Sequence, residues 1–102
     1  MHAIVIGTTP TITYTFKVVP VSSIVTAILT IKQRTEIVIK KTLADATVGE
    51  NSLSWDLSQE ETLLLGVRGG TVMLNWVTAD GKRGIGERQS IICEDNDIRE
   101  VI

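Results

Sequence analysis

The sequence predicts an all-β fold, an antiparallel sandwich of about seven short strands with one short helical connector. Three observations predict it. Apolar residues recur at every second position in several short segments, the period that places one set of side chains on a core face and the other in solvent. Turn-forming residues punctuate the chain at intervals of roughly 8–12 residues. Good helix start and stop signals occur in one place only.

Ala3 to Ile6 reads as a short first strand, ended by Gly7, which permits a bend. Pro10 biases Thr9 toward extended geometry and opens the strand from Thr11, where Ile12, Tyr14, Phe16 and Val18 alternate with Thr11, Thr13, Thr15 and Lys17. Pro20-Val21-Ser22-Ser23 turns the chain. Ile24 to Lys32 then carries apolar and β-branched residues on both faces, Val25, Ala27, Leu29 and Ile31 against Ile24, Thr26, Ile28 and Thr30, which predicts a central strand. Gln33-Arg34 is polar enough to turn on. Glu36 to Lys40 returns as a hairpin, with Ile37 and Ile39 opposed to Glu36, Val38 and Lys40.

Lys41 to Glu50 is a connection with room for a short strand, and Leu53, Trp55 and Leu57 alternate with Ser52, Ser54 and Asp56 in the next one. In Ser58-Gln59-Glu60-Glu61-Thr62-Leu63-Leu64-Leu65-Gly66, Ser58 and Glu61 form a capping box, and Glu60 and Glu61 favour the positive end of a helix dipole. Gly66 is placed to end the helix in a left-handed conformation. About two turns of helix make a connector, not an independently stable element. Gly69-Gly70 precede a strand from Thr71 to Thr78 with Val72, Leu74 and Trp76 inward, and Asp80-Gly81 marks a tight hairpin in which both central positions take positive φ. Ile85 to Cys93 is the return strand, where Gly84 and Gly86 point to a bulge or twist. Residues 94–102 read as a tail, acidic and then apolar at Ile98, Val101 and Ile102.

With 102 residues and 43% hydrophobic content, the chain is expected to form one domain, 1–102, and to bury a sufficient core without disulfides or metal. This strand pattern is that of an immunoglobulin-like sandwich, with a small closed barrel as the alternative. A net charge of −2 and ordinary charged content do not advertise a nucleic-acid partner. The start Met1-His2-Ala3-Ile4-Val5-Ile6 lacks the basic region and apolar length of a signal peptide. The longest apolar-leaning window, Val18 to Ile31, is interrupted by Pro20, Ser22, Ser23 and Thr26 and falls short of the ~20 residues a spanning helix needs, so no membrane segment is expected.

Candidate chemistry is sparse, and no catalytic, cofactor-binding or metal-ligating set is expected. His2, the single histidine, sits at a chain end and reads as a surface side chain. Cys93 follows Ile91-Ile92 in a strand and precedes Glu94-Asp95, so it reads as a small core hydrophobe and not as an activated thiolate. Glu94-Asp95-Asn96-Asp97 lacks the spacing, central glycine and closing glutamate of a calcium loop. Gly66 to Thr71 lacks the Lys-Ser/Thr of a phosphate-binding loop, and Gly84-Ile85-Gly86 lacks the third glycine of a dinucleotide fingerprint. Lys32, Arg34, Lys40 and Lys41 form a basic hairpin edge of the kind that blocks edge-to-edge aggregation. Trp55 and Trp76 both fall on inward registers; each is a core residue or, if exposed, an interface anchor.

Gly7-Thr8-Thr9-Pro10-Thr11 opening an alternating strand, the run Asn51 to Leu63 passing from a strand into Gln59-Glu60-Glu61-Thr62-Leu63, Gly70-Thr71-Val72 leading a strand, and Ala79-Asp80-Gly81-Lys82 at the following hairpin resemble the N-terminal immunoglobulin-like domain of phage baseplate upper proteins and small phage or prophage virion proteins. The apolar segment Val18 to Ile31 and Asn75 depart from that pattern. The resemblance implies a non-enzymatic tail or baseplate component, made in the host cytoplasm, carried in the virion and assembled with copies of itself, as a homo-oligomer, or with other virion proteins. On that reading Ile98, Val101 and Ile102 are the expected assembly contacts. The alternative is an immunoglobulin-like binding module for surface adhesion or carbohydrate.

Overall fold

The alternating segments do become strands, and their apolar faces meet. The computed structural model of the chain describes residues His2–Ile102; Met1 and the His2 side chain lie outside it, and with them the expectation that His2 is a surface residue. The strands are β1 (His2–Val5), β2 (Thr11–Thr15), β3 (Ile24–Gln33), β4 (Glu36–Thr42), β5 (Thr47–Val48), β6 (Ser52–Asp56), β7 (Gly69–Thr78), β8 (Arg83–Ile85) and β9 (Gln89–Glu94), with one helix, α1 (Gln59–Leu63). One sheet runs β1-β9-β7-β3-β4 with β8 also on β7, and the other runs β2-β6-β5. Two sheets of this connectivity form the immunoglobulin-type sandwich, with β9-β7-β3-β4 as the G-F-C-C′ side and β2-β6-β5 as the B-E-D side.

The strand count differs from the expected seven for a local reason. β8 and β9 both pair with the same edge of β7, at Asn75 to Val77 and at Gly69 to Val72, so they are one return strand interrupted at 86–88. The interruption falls at Gly86, whose position a side chain could not share with the Tyr14 ring, and at Gly84 the Trp76 indole leaves no room for a Cβ either. Nor is the sandwich wholly antiparallel: β1 pairs with β9 in parallel, from His2 opposite Ile91 to Val5 opposite Glu94.

The core sits between the sheets and includes Ile4, Ile6, Leu29, Ile31, Leu53, Trp55, Leu57, Val72, Leu74, Ile91 and Cys93, all nearly or wholly excluded from solvent. Two bulges correct the register read from alternation. In β3, Ile24 pairs with Thr78 and Thr26 with Val77, which leaves Val25 as the extra residue; it turns outward and Ile24 joins the face of Ala27, Leu29 and Ile31. In β4, Ile39 pairs with Ile31 and Ile37 with Lys32, so Val38 is extra and Ile37 is exposed while Val38 packs on the core. β3 is indeed flanked on both sides, by β4 and β7, but only one of its faces is buried.

The turns also differ in detail. β2 ends at Thr15, and Val18, expected inward, is 92% exposed in the loop that follows. The β3–β4 hairpin turns on Arg34-Thr35, with Arg34 at φ 57. Gly66 does not adopt positive φ; α1 closes instead through a right-handed Leu64. Of the Asp80-Gly81 pair only Gly81 has positive φ, 85°, because Gly81 N–H donates to Thr78 O at 2.9 Å and the loop closes as a type I turn followed by a left-handed residue. The capping box stands as expected: Ser58 Oγ accepts from Glu61 N–H at 3.1 Å and Glu61 Oε1 accepts from Ser58 N–H at 2.9 Å. No helix among the described residues is long and apolar enough to cross a membrane.

Candidate assembly surfaces

Residues 94–102 were expected as a tail. Glu94 instead closes β9, and the rest is strapped to the body. Asn96 Nδ2 donates to Ile6 O at 2.9 Å, and Asn96 Oδ1 accepts from Ile98 N–H at 3.1 Å. Arg99 and Asp95 pair at 2.9 Å. At the start of α1 the Gln59 amide clamps Ile102, donating to its O at 3.0 Å and accepting from its N–H at 2.9 Å. Asn96 and Ile102 tie the strap to the body, and its apolar side chains are left in solvent: Ile98, Val101 and Ile102 are 53%, 50% and 86% exposed. They form an apolar rim held in place by hydrogen bonds.

A second apolar surface lies at the end of the sandwich where the β2–β3 and β7–β8 loops meet. Trp55 is wholly buried, and its indole N–H donates to Thr42 O at 2.9 Å, tying the two sheets. Trp76 is only half-buried; its ring meets Phe16 edge-on, with centroids 6.1 Å apart and planes at 74°. Val18, Val19, Pro20 and Trp76 line an open cleft of about 440 Å³ there.

Several titratable groups are held by their surroundings. Lys41, one of the four residues of the basic hairpin edge, is bonded to Glu61 at 3.0 Å and joins β4 to α1. Burial is the largest influence on the Glu61 carboxyl and raises its pKa, but the Ser58 N–H, the Lys41 ammonium and the Ser58 hydroxyl together hold it below the ordinary value. Burial pushes the Cys93 thiol up, away from the reactive thiolate. Tyr14 is pushed up to about 12 by burial and by the Glu87 carboxylate, and its hydroxyl donates to Glu87 O at 3.0 Å. The Thr78 hydroxyl, and then the Lys82 N–H, hold Asp80 low at the hairpin. Among the described residues no group of three or more His, Cys, Asp or Glu side chains converges to hold a metal ion.

Two buried polar residues that organise the site are silent in the sequence pattern. Gln33, read there as part of a turn, ends β3 inside the protein: its Nε2 donates to Gly66 O at 2.9 Å, and its Oε1 accepts from Gly66 N–H at 2.8 Å. Thr62, wholly buried on α1, accepts from Gly7 N–H at 3.0 Å and donates to Thr8 O at 2.7 Å, which fixes the β1–β2 corner beside the strap.

No protein-family model matches the chain, and no curated protein matches it.

Proposed function

We propose that the chain is a non-enzymatic structural protein of a phage or prophage tail or baseplate. It works through protein–protein contacts made by the rim of Ile98, Val101 and Ile102, is synthesised in the host cytoplasm and ends in the virion. The observation that carries the reading is where the resembling segments fall. Asn51 to Leu63 runs from β6 through buried Leu57 into the capped α1, and that same helix clamps the strap bearing the apolar rim. An apolar rim on a hydrogen-bonded strap suits docking, because the backbone that carries it is already held and less ordering is left to be done on contact.

The test is genetic. Particles induced from the encoding strain with the gene removed are expected to show heads with absent or incomplete tails in electron micrographs, restored by the wild-type chain and not by one with Ile98, Val101 and Ile102 changed to serine. Normal infectious particles from the deleted strain would overturn the proposal. A second reading, a binding module, draws on the partly buried Trp76 and the exposed Val18 at the loop end; binding to cells or glycans lost on Trp76→Ala with tail assembly intact would favour it.

A further inference from the structure

The edge of β2 presents an unused set of backbone hydrogen-bonding groups. The bonds that flank its pairing with β6, Phe16 N–H to Asn51 O at 2.7 Å and Leu57 N–H to Pro10 O at 2.9 Å, fix which residues face β6. Ile12 and Tyr14 do, so the N–H and C=O of Thr11, Thr13 and Thr15 point away from it. No hydrogen bond among the described residues engages them, and all three residues are exposed. Two other edges are guarded: β4 carries Lys40, Lys41 and the Val38 bulge, and β5 is two residues long, while the remaining edge, β1, is four residues long and pairs with β9 in parallel. β2 has no charge and no proline between Thr11 and Thr15.

We infer that this edge pairs with the same edge of a second copy, antiparallel about a two-fold axis through Thr13, joining two three-stranded sheets into one. The sequence Thr-Ile-Thr-Tyr-Thr is close to its own mirror. Centred on Thr13, the axis sets Thr13 against Thr13 and Thr11 against Thr15 of the other copy, each the outward-facing type that exchanges two backbone bonds. It sets half-buried Ile12 against Tyr14 of the other copy on the core side, an aromatic and β-branched pair of the favourable kind. Charges agree as well: the strand's Lys17 end meets the other copy's Thr11 end, where Asp56 accepts from the Thr11 hydroxyl. Beside the edge, Ala3, Ile4, Ile12, Val72 and Ile91 line an open cleft of about 430 Å³ that leaves the approach clear. A five-residue contact is smaller than a standard interface, so the dimer is concentration-dependent.

Sedimentation of the full chain over a concentration series reaching millimolar tests this, and it needs no particle, so its outcome is independent of the virion reading. The wild type is expected to shift from monomer to dimer. Thr13→Pro removes an N–H that the monomer does not use and should weaken dimerisation about tenfold or more. Thr13→Lys sets two charges at the axis and should do likewise, with no change in circular dichroism; it serves if the proline variant fails to fold. Thr13→Cys should cross-link under mild oxidation, since such a pair lies about 5.5 Å apart at Cα, within disulfide reach. Thr8→Cys, opposite Val18 of the other copy, should not, and buried Cys93 stays out of the reaction. A chain monomeric throughout the series would overturn the inference and leave the edge to a strand of another protein. Dimers that survive both Thr13→Pro and Thr13→Lys, or that cross-link equally at Thr8, would also overturn it.

Discussion

Replacing Thr62 separates what its hydroxyl does from what its bulk does. Thr62→Val keeps shape and volume and removes the oxygen, which strips Gly7 N–H of its partner and Thr8 O of its donor. An orphaned, partly buried amide costs about 1–3 kcal/mol, and the lost bond to Thr8 O adds about 1 kcal/mol. Thr62→Ser keeps both bonds and loses one methyl from a wholly buried site, worth about 1 kcal/mol with the small void it leaves. The valine variant should therefore be less stable by about 2–4 kcal/mol and the serine variant by about 1 kcal/mol. At about 4–8 °C per kcal/mol for a domain of this size, the valine variant should melt at least about 8 °C lower. Urea denaturation followed by tryptophan fluorescence reads both, with unchanged slope as the sign that the folded state is the same. A valine variant as stable as the serine variant would refute the assignment of this hydroxyl as the tie between α1 and the β1–β2 corner.

Two further outcomes follow from buried polar groups. Gln33→Leu leaves Gly66 N–H without its acceptor and should destabilise by about 2 kcal/mol in the same urea assay; an unchanged midpoint would show that solvent replaces the amide. Tyr14, the single tyrosine, should titrate near pH 12 in the native protein and near 10 in urea. Because the folded pKa is the higher one, the associated stability is fully present below pH 10 and is lost as pH rises from 10 toward 12. Phenolate absorbance measures it, and a native midpoint near 10 would place the hydroxyl in solvent.

Much of the fold was legible because alternation and burial share one cause. Leu53, Trp55 and Leu57, and Val72 and Leu74, were read as inward and are buried, and the Ser58–Glu61 capping box was visible as a local rule. What alternation could not show is where a strand gains a residue: the bulges at Val25 and Val38 invert the faces around them, and each depends on the partner strand's register. Gly66 was assigned a left-handed cap from its position, whereas its carbonyl and amide are held by Gln33 and its backbone follows that contact. Gln33 was read as part of a turn and Thr62 carried no burial signal, because only tertiary pairing makes the burial of such polar side chains favourable. Of the site, the apolar character of Ile98, Val101 and Ile102 was readable; the Gln59 and Asn96 bonds that fix the strap, 43 and 90 residues from their partners, were not.

The most direct test of the account is peptide mass spectrometry on intact particles purified after inducing the encoding strain with a DNA-damaging agent. The account predicts peptides of this chain in fixed stoichiometry with tail proteins; their absence from well-covered particles would contradict it.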